Sequence, residues 1–396
     1  MKELLIVGVG VMGRPYLDAA ARLGLKVSAV ESAAAYDNRP TDLGVTYHRV
    51  DGEAEESWNQ GVAEALAASV PDGVLAFAEP HVLAGALAQD RLGLPGPSLH
   101  AAVISRNKAL QRTGFSAHGV PQPEFFLASD VGRAREWMLD RLPVVVKPLS
   151  ESGSSGVELV LDAAAVPELI ARRSAEGTVL VEQAVLGPEF SWEALVRDGE
   201  VLFENFTAKE TTPPPYFVEL CHRIGHRFED GETADQVNAL TRGVLGAIGM
   251  RTGLVHLEFR LGPDGPALME IAVRTPGDYL GEAVGLTYGF DLYEAVIRLA
   301  LGLPLDGLLN ADPVRYAATW FPTVEPGRIS RIEGVEEALA HPAVVRVRLR
   351  KQVGDVVGPL TSSSARLGHV LVDAASPEER EEALEHVRKH LRVSVD

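Results

Sequence analysis

The stretch from Val144 to Val160 constrains the fold most, because it joins two apolar runs through a lysine and a loop of serine and glycine. Lys147 ends the first run, apolar residues resume at Val157, and between them lies Ser150-Glu151-Ser152-Gly153-Ser154-Ser155-Gly156. Glycine permits positive φ, so the backbone N–H groups of such a loop can close over an anion beside the lysine. A triphosphate would fit this arrangement, although a solvated hairpin loop would show the same pattern.

The length and charge of the chain limit its domain number and its partners. At 396 residues it exceeds the size at which one hydrophobic core keeps growing, so two or three domains are expected. Its 37 Lys and Arg against 55 Asp and Glu give a net charge of −18. Nucleic-acid binding depends on neutralising phosphates with basic side chains, so we expect no nucleic-acid partner. An acidic protein that binds a triphosphate must build local positive charge or recruit Mg²⁺.

Cysteine content and hydropathy indicate the cellular setting. Cys221 is the single cysteine, which excludes an internal disulfide and a cysteine zinc cluster and fits a cytoplasmic protein. No apolar run approaches the roughly 18 to 20 residues of a membrane span, so no membrane association is expected. The apolar run after Lys2 superficially suggests a signal peptide, but Glu3 and the glycines that follow favour a strand and a helix.

A glycine-rich turn near the N-terminus suggests a competing function. The apolar run Leu4 to Val9 leads into Gly8-Val9-Gly10-Val11-Met12-Gly13, a helical pattern follows, and a second strand ends at Glu31. This unit matches the dinucleotide-binding fingerprint, in which the acidic residue holds a ribose. An NAD(P)-dependent oxidoreductase built on the three glycines and Glu31 is thus one hypothesis. Alternatively, the turn only brings a helix N-terminus close to a strand, as other α/β domains do.

Two glutamates in the second half of the chain form a candidate metal site. Glu258 and Glu270 lie in apolar runs on either side of the turn Gly262-Pro263-Asp264-Gly265, which predicts a hairpin. Period-2 alternation puts Glu258 on one face with His256 and Arg260. The carboxylates could face solvent, because antiparallel sheets often leave one face wet. They could equally hold Mg²⁺, which prefers hard oxygen ligands and commonly keeps substrate phosphates.

The remaining patterns predict the elements that carry these motifs. They include a strand over 74–78, a helix over 98–114 that carries Lys108, a helix over 164–175, a strand over 179–183, a hairpin at Asp198-Gly199, helices over 233–248, 291–301 and 378–391, and a strand over 344–349. Ligands bind at the carboxyl ends of strands in open sheets, so Glu79 or His81, just after the first of these strands, could touch a substrate. A carboxylate at a helix N-terminus is the alternative role for Glu79.

The order of the motifs resembles a known superfamily. Along the chain come Lys108, Lys147 with its loop, Glu182-Gln183-Ala184-Val185 with Glu189, then Glu258, Glu270 and Arg274. This order resembles the ATP-grasp superfamily, and within it the carboxylate-amine ligases that join amino acids (L-amino acid ligases, or dipeptide synthetases). The resemblance implies an α/β and α+β chain with the ATP-grasp fold. Its parts would be a Rossmann-like preATP-grasp domain over 1–97, an ATP-grasp body over 98–314 with a lid over about 115–190, and a small C-terminal α+β domain over 315–396.

The resemblance also implies a role for each motif. Lys108 and Lys147 would contact ATP phosphates under a lid of Ser152, Gly153, Ser154, Ser155 and Gly156, the backbone of Glu182, Gln183, Ala184 and Val185 would hold adenine, and Glu189 would hold the ribose. Glu258 and Glu270 would ligate Mg²⁺, for which Mn²⁺ can substitute, and Arg274 would hold the acyl phosphate or the tetrahedral species.

Two further positions bear on the resemblance. The segment from Pro214 to His222 resembles one in these ligases whose histidine lies near the reacting carboxylate, although a structural role would suit His222 equally well. Ala272 departs from the pattern, because many superfamily members have a metal-holding Asn there. The sequence therefore does not decide how the metal is coordinated.

The function that the resemblance implies is an ADP-forming ligase. It would make an amide or peptide bond between small amino acids or related acids through an acyl phosphate. ATP and Mg²⁺ would be its cofactors and a small carboxylate and an amine its partners, with the chain acting alone or as a homodimer. Two alternatives stay open, namely the NAD(P)-dependent oxidoreductase and a non-catalytic ATP-binding protein, for which Ala272 is the argument.

Overall fold

The N-terminal region is a parallel sheet with helices, in a computed structural model that describes residues 1–10, 12–150 and 153–396. Its elements are β1 (Glu3–Val7), α1 (Arg14–Arg22), β2 (Lys26–Ser32), α2 (Ala33–Tyr36), β3 (Thr46–Val50), α3 (Glu55–Ala68), β4 (Gly73–Leu75) and α4 (Val82–Leu92), with a 3₁₀ turn over Glu79–His81. The strand order is β3-β2-β1-β4. The predicted unit of strand, glycine turn, helix and strand is confirmed as β1, α1 and β2.

The next segment forms two helices where the sequence predicts one. They are α5 (Leu99–Ser105) and α6 (Lys108–Ala117). Asn107 breaks the predicted helix because its backbone is extended, and its side chain caps α6 by accepting hydrogen bonds from the amides of Ala109 and Leu110 at 2.9 and 3.1 Å. Lys108 thereby begins α6, and its amide donates to the carbonyl of Leu149, two residues after Lys147.

A small antiparallel sheet carries the serine and glycine loop. Its elements are β5 (Phe125–Ala128), α7 (Arg135–Arg141), β6 (Val144–Pro148), β7 (Glu158–Val160), α8 (Val166–Arg173) and β8 (Val179–Gln183), with a 3₁₀ turn over Val131–Ala134. The strand order is β5-β8-β6-β7, and the valines of β6 and β8 pack with Met138 of α7 and Leu169 of α8. The two strands predicted around the loop are confirmed, since Val144 pairs with Val160.

A large antiparallel sheet forms the rest of the chain. Its elements and those packed around it are β9 (Glu189–Arg197), β10 (Glu200–Thr211), β11 (Glu219–Ile224), α9 (Gly231–Ile248), β12 (Gly253–Gly262), β13 (Gly265–Ala272), α10 (Leu280–Tyr288), α11 (Leu292–Ala300), β14 (Tyr316–Trp320), β15 (Gly327–Glu333), α12 (Val335–Leu339), β16 (Val344–Leu349), β17 (Val356–Val357), β18 (Gly368–Ala374), α13 (Pro377–His390) and β19 (Arg392–Val395), with a 3₁₀ turn over Ser363–Ala365. The large sheet has the order β13-β12-β9-β10-β11-β14-β18-β16, and β17-β15-β19 form a separate small one. The predicted hairpins at Asp198-Gly199 and Gly262–Gly265 are confirmed. Because β11 pairs with β14, the large sheet runs on across residue 315.

One hydrophobic core joins the N-terminal sheet to the large sheet. It includes Ile6 of β1 and Tyr16 of α1 together with Leu292 of α11 and Leu371 of β18. Leu75, at the carboxyl end of β4, belongs to this core. Glu79 follows a few residues later and contacts Arg274 in the segment after β13. Among the described residues, no helix combines the length and the apolar character that a membrane crossing requires.

Candidate active site

The main cleft, as we call the space between the small sheet and the large sheet, is lined by strands from both and has an open volume of about 1000 Å³. Most of the predicted site residues line it, namely Lys108, Lys147, Gly153, Ser154, Glu182, Gln183, Val185, Glu189, Glu258, Glu270 and Arg274. Ser155, Gly156 and Ala184 belong to the described part of the chain but do not line the cleft. Ser152 lies outside the described residues.

Glu258 and Glu270 face each other across two neighbouring strands. They are register partners on β12 and β13, and such partners have Cβ atoms roughly 4.5–5.5 Å apart. Glu258 shares its face with His256 and Arg260, as the alternation predicts, and all three line the main cleft. The two carboxylates therefore converge on the cleft and not on a solvated outer face.

Lys209 is a residue beside Glu258 that sequence reasoning missed. Its buried Nζ contacts a carboxylate oxygen of Glu258 and lies 3.2 Å from Glu189 and 3.6 Å from Glu219. Burial alone would lower the pKa of Lys209, but the three carboxylates outweigh it and raise that pKa well above its usual value. Continued alternation along β10, from the buried Asn205 and through Thr207, was the signal that could have placed Lys209 inward.

His256 ties Glu258 to a buried carboxylate. Its Nδ1 lies 2.9 Å from Glu193 and its Nε2 lies 3.3 Å from Glu258, while Glu193 also accepts hydrogen bonds from Ser191 and Asn205. Burial would lower the pKa of His256, but the hydrogen bonds to both carboxylates raise it. Burial would raise the pKa of Glu258, but Lys209 and His256 hold it well below its usual range. Glu258 is thus an anion at neutral pH.

Lys108 of α6 and Lys147 of β6 both line the main cleft. Lys108 Nζ lies 3.1 Å from Glu270, and Lys147 Nζ lies 2.6 Å from Glu182. Burial lowers the pKa of Lys147, while the Glu182 carboxylate beside it acts in the opposite direction. Arg112, another residue missed from sequence, contacts Glu182 and donates to the Met269 carbonyl at 2.6 Å. It therefore ties α6 to the small sheet and to β13.

The segment from Glu182 to Val185 offers fewer backbone groups than predicted. The amides of Gln183 and Ala184 donate to the carbonyls of Glu124 and Pro143, each at 2.9 Å. These two N–H groups are therefore already hydrogen-bonded within the protein. The side chain of Glu182 is held by Lys147 and Arg112. The carbonyl of Gln183 and the amide of Val185 are then the groups of this segment suited to a base.

Glu189 lies beside this segment at the start of β9. It receives two hydrogen bonds from Arg260, at 2.6 and 3.0 Å, and contacts Lys209. Arg260 in turn lies over the Phe217 ring, 4.4 Å from its centroid. The two cations hold the Glu189 carboxylate, which lines the main cleft.

The serine and glycine loop lies against two other parts of the chain. Gly153 and Ser154 have φ values of +63° and +59°. The Ser154 hydroxyl donates to the Phe217 carbonyl at 2.9 Å, and the amide of Ser363 donates to the Gly153 carbonyl at 3.0 Å. Ser363 also donates through its hydroxyl to Glu219 at 2.6 Å. In this structure the described part of the loop, from Gly153 onward, is therefore held beside the cleft.

The adjoining cavity, our name for a second space of about 1050 Å³, continues from the main cleft and shares Arg274 and Glu258 with it. Arg274 Nε lies 2.8 Å from Glu79, and its Nη1 donates to the Thr275 carbonyl at 3.0 Å. Glu79 thus lies near the candidate reaction centre, as its position after a strand predicts, whereas its neighbour His81 packs elsewhere. His222 lines this cavity.

A buried network holds His222. Its Nε2 lies 3.1 Å from Asp278, and Arg366 Nη1 donates to Asp278 at 2.9 Å. Burial would raise the pKa of Asp278, but His222 and Arg366 lower it. Asp278 has a φ of +59°, which is uncommon for a residue other than glycine. Asp278 and Arg366 were missed, because only the fold brings the segment after β13 to the C-terminal region.

The glycine-rich turn is already filled by the chain itself. The carboxylate of Glu31 accepts hydrogen bonds from the amides of Val9 and Gly10 at 2.9 and 2.7 Å, which are the groups that a pyrophosphate would need. A Cβ at Gly8 would lie 1.9 Å from the His81 ring, so that ring covers the turn. Burial lowers the pKa of His81 to about 4, which keeps the ring neutral at physiological pH. The oxidoreductase hypothesis is therefore wrong.

Two family models and a solved structure match this chain. Residues 140–281 match the ATP-grasp domain, and residues 320–396 match the L-amino acid ligase C-terminal domain 2. The crystal structure of an L-amino acid ligase from Bacillus licheniformis superposes with a TM-score of 0.83 at 26% identity, covering 100% of this chain and 99% of that one.

Similar sequences include proteins of different lengths. An uncharacterized protein y4rH of Sinorhizobium fredii is 29% identical over 94% of this chain and 78% of its own length. Human carnosine synthase 1 is 28% identical over 76% of this chain but only 40% of its own length, so the chain spans less than half of that protein.

Proposed function

Because the chain belongs to the ATP-grasp ligases that form C–N bonds, we propose that it joins a small amino acid, or a related acid, to a second amino acid through an acyl phosphate. One observation carries the proposal: Glu258 and Glu270 are in register at a cleft that also receives Lys108, Lys147 and Arg274. Facing carboxylates ringed by cations suit a triphosphate with its metal and an anionic substrate.

ATP would lie in the main cleft. Its adenine would meet the Gln183 carbonyl and the Val185 amide, and its ribose would meet Glu189. The phosphates would be held by Lys108, Lys147 and Lys209, beneath the part of the serine and glycine loop that follows Ser152. The donor set supports this arrangement, because ammonium groups bind phosphate as point charges.

The donors in the cleft also fit Mg²⁺. This ion is usually held by one or two carboxylates together with substrate phosphates, so Glu258 and Glu270 suffice. Across the described ranges, no group of three or more His, Cys, Asp or Glu side chains is arranged as a metal cage. When bound, the ion would neutralise charge on the phosphate oxygens. His256 is the register partner of Ala272, so an imidazole and not an amide lies next to the two carboxylates.

The first chemical step would activate the carboxylate. Its oxygen attacks the γ-phosphorus, the bond to ADP breaks, and an acyl phosphate forms. This transfer depends on positioning and on neutralising charge over the phosphoryl oxygens. Lys147 and Lys209 would supply that charge, and Arg274 would orient the carboxylate.

The second step would form the amide. The amine nitrogen attacks the acyl carbon, the bond to phosphate breaks, and the nitrogen loses a proton. Arg274 would stabilise the tetrahedral oxyanion. We assign the role of proton acceptor to His222, whose side chain lines the adjoining cavity beside Asp278. The docked loop would keep water from the acyl phosphate.

The test is a matrix of amino-acid pairs scored for ADP release, with products identified by mass. Glu270→Gln and Arg274→Ala should each abolish amine-dependent ADP release while the chain stays folded. Glu56→Gln, at an exposed position on α3, is the matched control and should turn over normally. Normal turnover in both site variants would contradict the proposal. ADP release that requires both substrates would end the alternative of a non-catalytic ATP-binding protein.

A further inference from the structure

We propose, on the basis of the ligase function above, that Glu193 is a positioning residue for the metal ion of the main cleft. Acting through His256, it holds the Glu258 carboxylate so that one oxygen is presented to the ion. Glu193 is fully buried and does not line the main cleft. Its contribution would therefore come without any contact to ATP or to either amino acid.

The Glu258 carboxylate is held by one of its two oxygens. His256 Nε2 lies 3.3 Å from Glu258 Oε1, and the ammonium group of Lys209 contacts the same oxygen. Holding Oε1 leaves Oε2 as the oxygen that can turn to a metal ion in the main cleft, which Glu258 lines. Mg²⁺ demands near-ideal octahedral geometry, so the direction of this oxygen affects how tightly the ion binds.

The His256 ring needs a fixed orientation of its own to hold Glu258. Its Nδ1 lies 2.9 Å from Oε1 of Glu193, which is its register partner on β9. The register partner on the other side, Ala272 of β13, carries only a methyl group and offers the ring no hydrogen bond. Outer-shell partners such as Glu193 orient the groups that bind a metal, and their loss typically costs about 10- to 100-fold in metal affinity or activity.

The Glu193 carboxylate is itself locked in place by four polar partners. Besides meeting His256, Oε1 accepts a hydrogen bond from the Ser191 hydroxyl at 2.7 Å. Oε2 accepts from the Asn205 amide at 2.7 Å and from the Thr207 hydroxyl at 2.9 Å. Apolar residues of similar volume often stabilise a core as well as buried charged groups do. Packing alone therefore does not account for an acid at this position, whereas orienting His256 does.

Mn²⁺ binding measures the positioning directly. Mn²⁺ is added to the full chain together with β,γ-methylene-ATP, which cannot transfer its terminal phosphoryl group, and electron paramagnetic resonance reports the bound ion. Glu193→Gln keeps the volume but replaces one oxygen with a donor, so the Kd for Mn²⁺ should rise about 10-fold or more. The apparent KM for Mg²⁺ in ADP release should rise by the same factor, while the KM values of both amino acids stay unchanged. A merely structural role would lower the active fraction and leave the Kd and these KM values unchanged.

Glu204→Gln is the matched control. Glu204 precedes Asn205 on β10 and so lies on the opposite face of the sheet, where it accepts hydrogen bonds from Trp192 at 2.8 Å and from Arg242 at 2.9 Å. The same exchange at this position should leave the Kd for Mn²⁺ unchanged. If the Kd of Glu193→Gln lies within about twofold of the wild-type value, the inference is overturned.

A double variant tests whether Glu193 acts through His256. His256→Phe keeps a ring without nitrogens and should raise the Kd for Mn²⁺ at least as much as Glu193→Gln does. Adding Glu193→Gln to His256→Phe should raise it no further, since the two changes break one chain of contacts. Independent effects that multiply contradict the inference. The double variant leaves no buried charge at this position, so it decides even where Glu193→Gln alone fails to fold, and a wild-type Kd in it overturns the inference.

Failure of the ligase proposal would look different. No pair of amino acids would then release ADP, whereas the Mn²⁺ titration would still separate wild type from Glu193→Gln. A wild-type chain that binds no Mn²⁺ in the presence of β,γ-methylene-ATP overturns the inference outright.

Discussion

Replacing Asp278 with Asn should destabilise the folded chain by about 3–5 kcal/mol, because it leaves the buried guanidinium of Arg366 without its carboxylate partner. Arg366 donates to Asp278 at 2.9 Å, and the Arg366 side chain is only 5% exposed. Asn has the same shape and tolerates the φ of +59° at this position, so the change isolates the charge. In Asp278→Asn the guanidinium keeps neutral acceptors, namely the amide oxygen of the new side chain and the carbonyls of Ser363 and Glu219, but it loses the carboxylate. Urea denaturation at neutral pH, followed by circular dichroism and tryptophan fluorescence, measures the free energy of unfolding.

A matched control separates burial from charge. Asp312 contacts Arg227 at 2.6 Å, but their side chains are 84% and 70% exposed. Such a surface pair contributes about 0–1 kcal/mol, so Asp312→Asn should change stability by no more than that. If Asp278→Asn costs no more than Asp312→Asn, the reasoning about the buried pair is refuted.

The pH dependence of the Asp278→Asn effect follows from the sign of the pKa shift. His222 and Arg366 lower the pKa of Asp278 in the folded chain. A carboxyl group with a lowered pKa contributes stability above its unfolded pKa of about 3.9 and loses that contribution as pH falls through the folded value. The difference between wild type and variant should therefore persist at about pH 5 and shrink only below about pH 4. If the stability difference between wild type and Asp278→Asn has disappeared by pH 5, the lowered pKa of Asp278 is contradicted.

Three other perturbations address the catalytic apparatus. Lys209→Met should lower kcat for ADP release at least about 100-fold, because it removes the ammonium group that lies against Glu258; a rate within about threefold of wild type at saturating ATP contradicts this. Gly153→Val places a β-branched residue at a φ of +63° and should undock the loop. The ratio of amide product to ADP should then fall as the acyl phosphate meets water, and an unchanged ratio refutes a shielding role. Chelating divalent metal should stop ADP release and Mg²⁺ or Mn²⁺ should restore it, whereas turnover in excess chelator contradicts a metal at Glu258 and Glu270.

Local patterns in the sequence were enough to locate most strands and helices, together with part of the candidate site. Strand alternation placed Glu258 with His256, and turn chemistry at Asp198-Gly199 fixed a hairpin. These predictions hold because each depends on residues that are close in sequence. The single helix predicted over 98–114 failed for a local reason as well, because the capping side chain of Asn107 competes with the helical period.

Residues that act through distant partners could not be found in this way. Arg112 joins Glu182, and Asp278 joins Arg366, only because the fold brings separate elements together. An isolated arginine or aspartate is most often solvated, so composition offers no reason to choose these. Lys209 was within reach of the alternation along β10, but its three carboxylate partners come from other strands.

The glycine-rich turn shows how a correct local prediction can suggest a wrong function. The strand, turn and helix are present, and Glu31 lies one residue before the end of the second strand, near where the dinucleotide fingerprint puts its acidic residue. What the sequence cannot show is the direction of the Glu31 side chain, which returns to the turn and takes its amides. Among the described residues of the turn, Met12 lines the adjoining cavity.

The acyl phosphate is the central claim, and oxygen labelling tests it most directly. The carboxylate substrate is supplied with ¹⁸O in its carboxyl group, together with ATP, Mg²⁺ and the amine, and the released phosphate is analysed by mass. If the carboxylate oxygen attacks the γ-phosphorus and the amine later displaces phosphate, one labelled oxygen must appear in phosphate for each amide formed. Amide formation with unlabelled phosphate would contradict an acyl phosphate and, with it, the roles proposed for Arg274, Glu258 and Glu270.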